Sequence, residues 1–216
     1  MRRSAVWAGP ALLVVLVLPP LRPWLEASLI GHMLVQIPLL VLAGVLIARS
    51  LPEVWRLRAG RLDAYGVLGL LLALFVVVYW LLPRNLDAAV LEAGAGWAKI
   101  ATLVLLAGMP LGLVAHRLPL LVRGVLWVKA TAMFFVMGWL YREAPDRLCN
   151  AYLLGEQQLL GNVMLGLGAL SLAAILALLL LGPPRRRSAN TGPAQPSRRE
   201  AVIPSGSVAE QAPAGT

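Results

Sequence analysis

The sequence predicts an all-α fold, a polytopic transmembrane bundle of about six spanning helices followed by a disordered C-terminal tail. Three observations predict it. The composition is 59% hydrophobic and 13% charged, with a mean hydropathy of +0.78, far from the balance of a soluble domain. Apolar runs recur at close to the 20 or so residues that a helix needs to cross a hydrocarbon core. Both lysines, Lys99 and Lys129, lie inside such runs, whereas the seventeen arginines gather in the segments between and after them.

The first run, residues 5–21, follows Arg2-Arg3 and ends in Pro19-Pro20. It also fits the n-region and h-region of a secretory signal, but no clean small-x-small cleavage site follows, so it counts as an uncleaved helix. The second, 29–48, begins around His32-Met33 and carries Pro38, which is expected to kink it. The third covers 64–82. The fourth, 96–116, holds Lys99 near its outer end and Pro110, a second expected kink, within it. The fifth, 120–141, holds Lys129 about half-way along, and the sixth, 159–182, is entered through Glu156-Gln157-Gln158. Gly44 with Ala48, and Gly108 with Gly112, have the small-residue spacing that lets helices approach closely. After Gly182 the chain turns to Pro, Arg, Ser, Gly and Ala. Residues 1–182 therefore form the bundle and 183–216 a disordered basic cytoplasmic tail, whose Arg185-Arg186-Arg187 cluster suits anionic lipid.

Positive charge retained on the cytoplasmic side sets the orientation. With the N-terminus inside, Arg2, Arg3, Arg49, Arg56, Arg58, Arg61, Arg117, Arg123, Arg185, Arg186, Arg187, Arg198 and Arg199 are cytoplasmic, and only Arg22, Arg84, Arg142 and Arg147 are outside. Both termini are thus expected in the cytoplasm, with the chain in a cell inner membrane. The net charge of +9 then reflects topology and lipid headgroups. Nucleic acid is not an expected partner, because the basic residues sit in separate loops. Trp24, Trp80, Trp97 and Trp139 are expected as anchors at the outer boundary.

Polar residues concentrate on that outer side. Arg142, Glu143, Asp146 and Arg147 suit a solvated salt-bridge cluster worth little stability. Gln158 and Asn162 lie one turn apart, a polar stripe that must face protein, water or a ligand where it enters the membrane. His32 and Gln36 have the same spacing at the head of the second helix. His32 is either a hydrogen-bonded helix-end residue or a ligand. Met33 and the only cysteine, Cys149, supply thioether and thiol, which with imidazole favour Cu(I); Met164 is a further thioether nearby. His32, Met33 and Cys149 are accordingly candidate ligands for transiently held copper, with Gln36, Glu156, Gln157, Gln158 and Asn162 as the surrounding polar groups. Lys99 is expected to pair with Glu92 and Asp87. Lys129 is expected to face the bundle interior near Gln36, Thr102 or Asn162, as part of an ion path or a structural pair. No nucleophile, base and orienting group occur together, so an enzyme is not expected.

His32-Met33-Leu34 at a helix head, and Leu153-Leu154-Gly155-Glu156-Gln157-Gln158-Leu159-Leu160-Gly161 opening the last helix, resemble the CtaG-like membrane family. Its pattern has a His-Met-rich helix start and an Asp-Gln-Gln-x-x-Gly-type entry to a later helix. Glu156 stands at the acidic position, Gln157 and Gln158 at the paired amides, and Gly161 at the glycine, while Gln36 and Ile37 occupy the region of the family's second histidine. The resemblance implies an assembly factor for a haem-copper cytochrome c oxidase that handles Cu(I) on the outer face, with an oxidase or its copper chaperones as partners. A small transporter, or a structural subunit of a respiratory complex, is the alternative. The transporter would use Lys129 and the Gln158/Asn162 face, whereas the subunit would depend on Gly108 and Gly112.

Overall fold

The computed structural model describes residues 3–63 and 65–182, so Arg2 and the expected tail lie outside the described residues. Nine helical elements account for most of that range: α1 (Arg3–Val17), α2 (Leu21–Glu26), α3 (Gly31–Ser50), α4 (Glu53–Leu62), α5 (Val67–Leu81), α6 (Pro83–Leu91), α7 (Ala93–Arg117), α8 (Leu120–Glu143) and α9 (Leu154–Leu181). No strand occurs among the described residues.

The expectation of six spans is only partly met. Helices α3, α7, α8 and α9 are long and apolar enough to cross a membrane. The run at 64–82 becomes α5, whose 15 residues reach about 22 Å against a core of about 30 Å. Only when joined to α4 across a 93° bend does it make a fifth candidate. Gly66 turns that corner with a φ of +74°, a conformation that costs glycine nothing, and the Asp63 carboxylate receives the Gly69 N–H at 2.7 Å. The first run is likewise a 15-residue helix, continuous through Pro10. It stops at the Val17–Leu21 turn ahead of Pro19-Pro20, which shortens it below spanning length.

Both expected proline distortions take one form. Proline cannot donate to the carbonyl four residues back, and its ring collides with it. In α3 the turn before Pro38, Gly31–Gln36, opens to π geometry, so that the Ile37 N–H reaches the His32 carbonyl. In α7 the turn before Pro110, Leu103–Gly108, does the same, with the Met109 N–H on the Val104 carbonyl. Such wide turns relieve the clash without breaking the helix.

Helix α3 is central. On one side α1 lies along it, so close that a Cβ at Gly9 would stand 2.6 Å from the Ile47 nitrogen. On another side α7 crosses at the small-residue seam: a Cβ at Gly44 would meet the Val104 carbonyl, and one at Gly112 would lie 2.7 Å from the Val45 carbonyl. Helices α8 and α9 form a hairpin that packs principally on itself. Gly138 and Gly161 face each other there, each within 3.0 Å of where the other's carbonyl meets an added Cβ, and Thr131 bonds Ser171 at 2.6 Å. Away from that seam the hairpin shows its apolar sides outward, to lipid or to another helix.

Candidate functional site

At one end of the bundle, α2, α3, α7 and the loop 144–153 enclose a cluster of ionisable and polar groups. Lys99, His32 and Gln36 are completely buried. The Lys99 ammonium donates to the Glu26 carboxylate at 2.8 Å and to the Gln36 amide oxygen at 2.8 Å, and it lies 2.7 Å from His32 Nε2. Its three protons therefore have three acceptors. Gln36 returns a hydrogen bond to Glu26 at 3.2 Å. Arg22, one turn before Glu26, adds its Nε at 3.3 Å and stacks over Trp97 at 5.1 Å.

The hydrogen bonds fix the state of the imidazole. Tyr152 donates its hydroxyl proton to the Glu26 main-chain carbonyl at 2.9 Å, so it receives the Nδ1–H of His32 at 2.7 Å. Nε2 is then the lone pair that accepts from Lys99. A neutral His32 with both nitrogens engaged is the arrangement that satisfies every donor. Burial alone would raise the Glu26 carboxyl, but Lys99, with help from Gln36 and Arg22, reverses this and holds it below its ordinary value of 4.5. A carboxylate with a depressed folded pKa stabilises the fold above its unfolded pKa, and that contribution is lost as pH falls through the folded value. Wild type should therefore lose stability below about pH 4.5. Unfolding measured across that range should show a shallower loss for Glu26→Gln, and identical profiles would argue against the charge pair.

The second motif meets this cluster through the same loop. Gln157, not Gln158, is buried: its oxygen accepts the Leu148 N–H at 2.8 Å and its nitrogen donates to the Tyr141 carbonyl at 3.3 Å. Asp87 in α6 secures the middle of the loop, accepting the Asn150 and Ala151 N–H groups at 2.7 and 3.2 Å. Cys149, between the anchored Leu148 and Asn150, is buried. Burial, then the nearby Asp87 charge, pushes its thiol up to about 11, against a smaller opposing effect of Tyr141. Because the thiolate is the reactive form, maleimide at neutral pH should modify the folded protein at least roughly tenfold more slowly than the denatured chain; equal rates would mean that the loop does not shield it.

Several expectations need correction. Lys99 pairs with Glu26; Asp87 is committed to the loop backbone and Glu92 is exposed. Lys129 does not face the bundle interior: it is exposed on α8 and borders an apolar cavity, because α8 contacts α9 rather than the centre. Gln158 and Asn162 are both exposed and Glu156 is partly so. The inward stripe of α9 is Gln157, Leu160, Gly161, Met164 and Gly168, one residue out of phase with the stripe expected. Trp80 is no outer anchor but a buried donor to Thr102 at 2.7 Å.

The candidate copper ligands are each otherwise engaged. His32 has no free nitrogen, Met33 borders the apolar cavity, and Cys149 is enclosed with Tyr141 and Asp87. Among the described residues, no group of three His, Cys, Asp or Glu side chains could hold a metal ion. Residues not singled out from the sequence, Glu26, Arg22 and Tyr152, complete the cluster. Comparison with protein-family models, curated proteins and solved structures returned no match. The fold is a helical bundle with four helices long and apolar enough to cross a membrane and a buried ion cluster at one end.

Proposed function

We propose that the chain is a non-catalytic assembly factor for a haem-copper cytochrome c oxidase, a multi-pass protein of the inner membrane with both termini in the cytoplasm. The observation that carries this reading is the meeting of its two motifs on one loop. His32 holds residues 144–153 through Tyr152, and Gln157 holds them through Leu148. Segments 120 residues apart thus build one surface at the end where the sparse outer arginines lie. The exposed apolar sides of α8 and α9 suit contact with a membrane partner.

In this reading the loop surface acts on an oxidase subunit by contact, and His32 organises the loop rather than ligating copper. Deleting the gene in its host should lower assembled oxidase, read from reduced-haem spectra and subunit immunoblots, and the wild-type gene should restore it. Unchanged oxidase would overturn the assembly role and leave a structural subunit of another complex as the better reading. Anaerobic Cu(I) titration against a competing chelator supplies a separate expected outcome. The reduced wild-type protein should bind Cu(I) no better than the double variant His32→Ala, Cys149→Ala. Stoichiometric binding lost in the double variant would restore both residues as ligands.

A further inference from the structure

Beside the ion cluster, on the far side of Met33, lies a cavity of about 390 Å³ between α3, α5, α8 and α9. That volume falls in the range of about 300–1,000 Å³ typical of small-molecule sites. Its lining is almost wholly apolar and includes four of the protein's six methionines, Met33, Met133, Met137 and Met164. The single charged residue bordering it is Lys129. Among the described residues no carboxylate lies within ion-pairing distance of Lys129, in contrast to the fully engaged Lys99.

Depth and charge select the occupant. Lys129 stands about 14 Å along α8 from Leu120, roughly mid-span, where an ammonium left among lipid tails is costly. A phosphodiester is always ionised and stays at the interface, whereas a carboxylic acid can reach that depth in its neutral form and ionise on meeting Lys129. We propose that the cavity binds a single-chain amphiphile with a terminal carboxylate, of the fatty-acid class, its acid group paired with Lys129 and its chain among the methionines. Unbranched, flexible thioethers adapt to chains of differing length, so selectivity resides in the head group. This inference is independent of the oxidase reading.

The test uses the full chain in neutral phosphatidylcholine nanodiscs, with dansyl-labelled undecanoic acid and the corresponding alcohol as probes and empty nanodiscs as background. Saturable binding of the acid is expected. Lys129→Met should weaken it roughly tenfold, the scale of one lost charge-assisted hydrogen bond, while Lys129→Arg retains it and the alcohol is indifferent to either change. Met137→Trp, which fills the cavity, should reduce binding of both probes without changing the helical circular dichroism. Because Lys129 has no ion partner among the described residues and its ammonium is costly at that depth, Lys129→Met should not lower thermal stability. Equal binding of acid and alcohol, acid binding insensitive to Lys129→Met or Met137→Trp, or no binding above empty nanodiscs would each overturn the proposal.

Discussion

Lys99→Met is expected to destabilise the fold by about 3–5 kcal/mol, because removing one partner of a buried pair strands the others. The loss is spread over three acceptors: Glu26 keeps a largely buried charge, while His32 Nε2 and the Gln36 carbonyl lose a donor where water cannot replace it. Lys99→Arg should not restore stability, since a planar guanidinium cannot direct three protons from one atom at acceptors 2.7–2.8 Å away. A double-mutant cycle with Glu26→Gln distinguishes a network from independent bonds: once Glu26 is neutral, the further cost of Lys99→Met should be clearly smaller than in wild type. Equilibrium unfolding in bicelles measures all three. A Lys99→Met protein within about 1 kcal/mol of wild type would show that the cluster contributes no more than an exposed pair.

The second large effect lies in the seam between α3 and α7. A Cβ at Gly108 would strike the Val41 carbonyl and stand 2.7 Å from Gly44 Cα. Both obstacles are backbone, so no rotamer change relieves them. Gly108→Leu should therefore cost about 3 kcal/mol or more, the upper end for overpacking, and should separate α7 from α3 and weaken the ion cluster built on both. Gly166→Ala in α9 is the control. Nothing lies within 4 Å of an added Cβ there, and alanine should be neutral or stabilising by up to about 1 kcal/mol. Unfolding measurements on the two variants separate seam packing from a general intolerance of larger residues; equal destabilisation would count against the seam.

Much of this was legible in the sequence, for identifiable reasons. Hydropathy located α3, α7, α8 and α9, since a long apolar run with polar flanks has few other solutions. The seam glycines were visible because small residues four apart have a purely local signature. The ion cluster was legible only in part: Lys99 and His32 stood out as charge and imidazole in apolar surroundings, but Glu26 lies 73 positions from Lys99, between two apolar runs, with no local signal to mark it. Pairing at that separation depends on where α2 folds back, which hydropathy does not encode. For α9, Gln158/Asn162 and Gln157/Gly161 have equal claims by spacing. The signal that separates them is Gly161, whose lack of a side chain admits Gly138 and so marks the inward face. Lys129 was misplaced because the reading assumed that every intramembrane charge turns to the bundle centre, whereas α8 meets mainly its hairpin partner.

The wide turns ahead of Pro38 and Pro110 also set helical phase. Each holds one residue more than an α-turn, and a residue advances an α-helix by about 100°. On an uninterrupted α3, His32 would lie about 120° around the axis from Gly44; the extra residue brings the two within about 20°. On α7 the same device moves Lys99 from about 180° to about 80° from Gly108. On α3 the face that seals the helix crossing is thereby aligned with the one that carries His32, and on α7 the Lys99 face is brought about 100° closer to the seam. Two prolines that lie outside the hydrogen-bonded cluster thus help to decide whether Lys99 and His32 meet inside the protein or point into lipid.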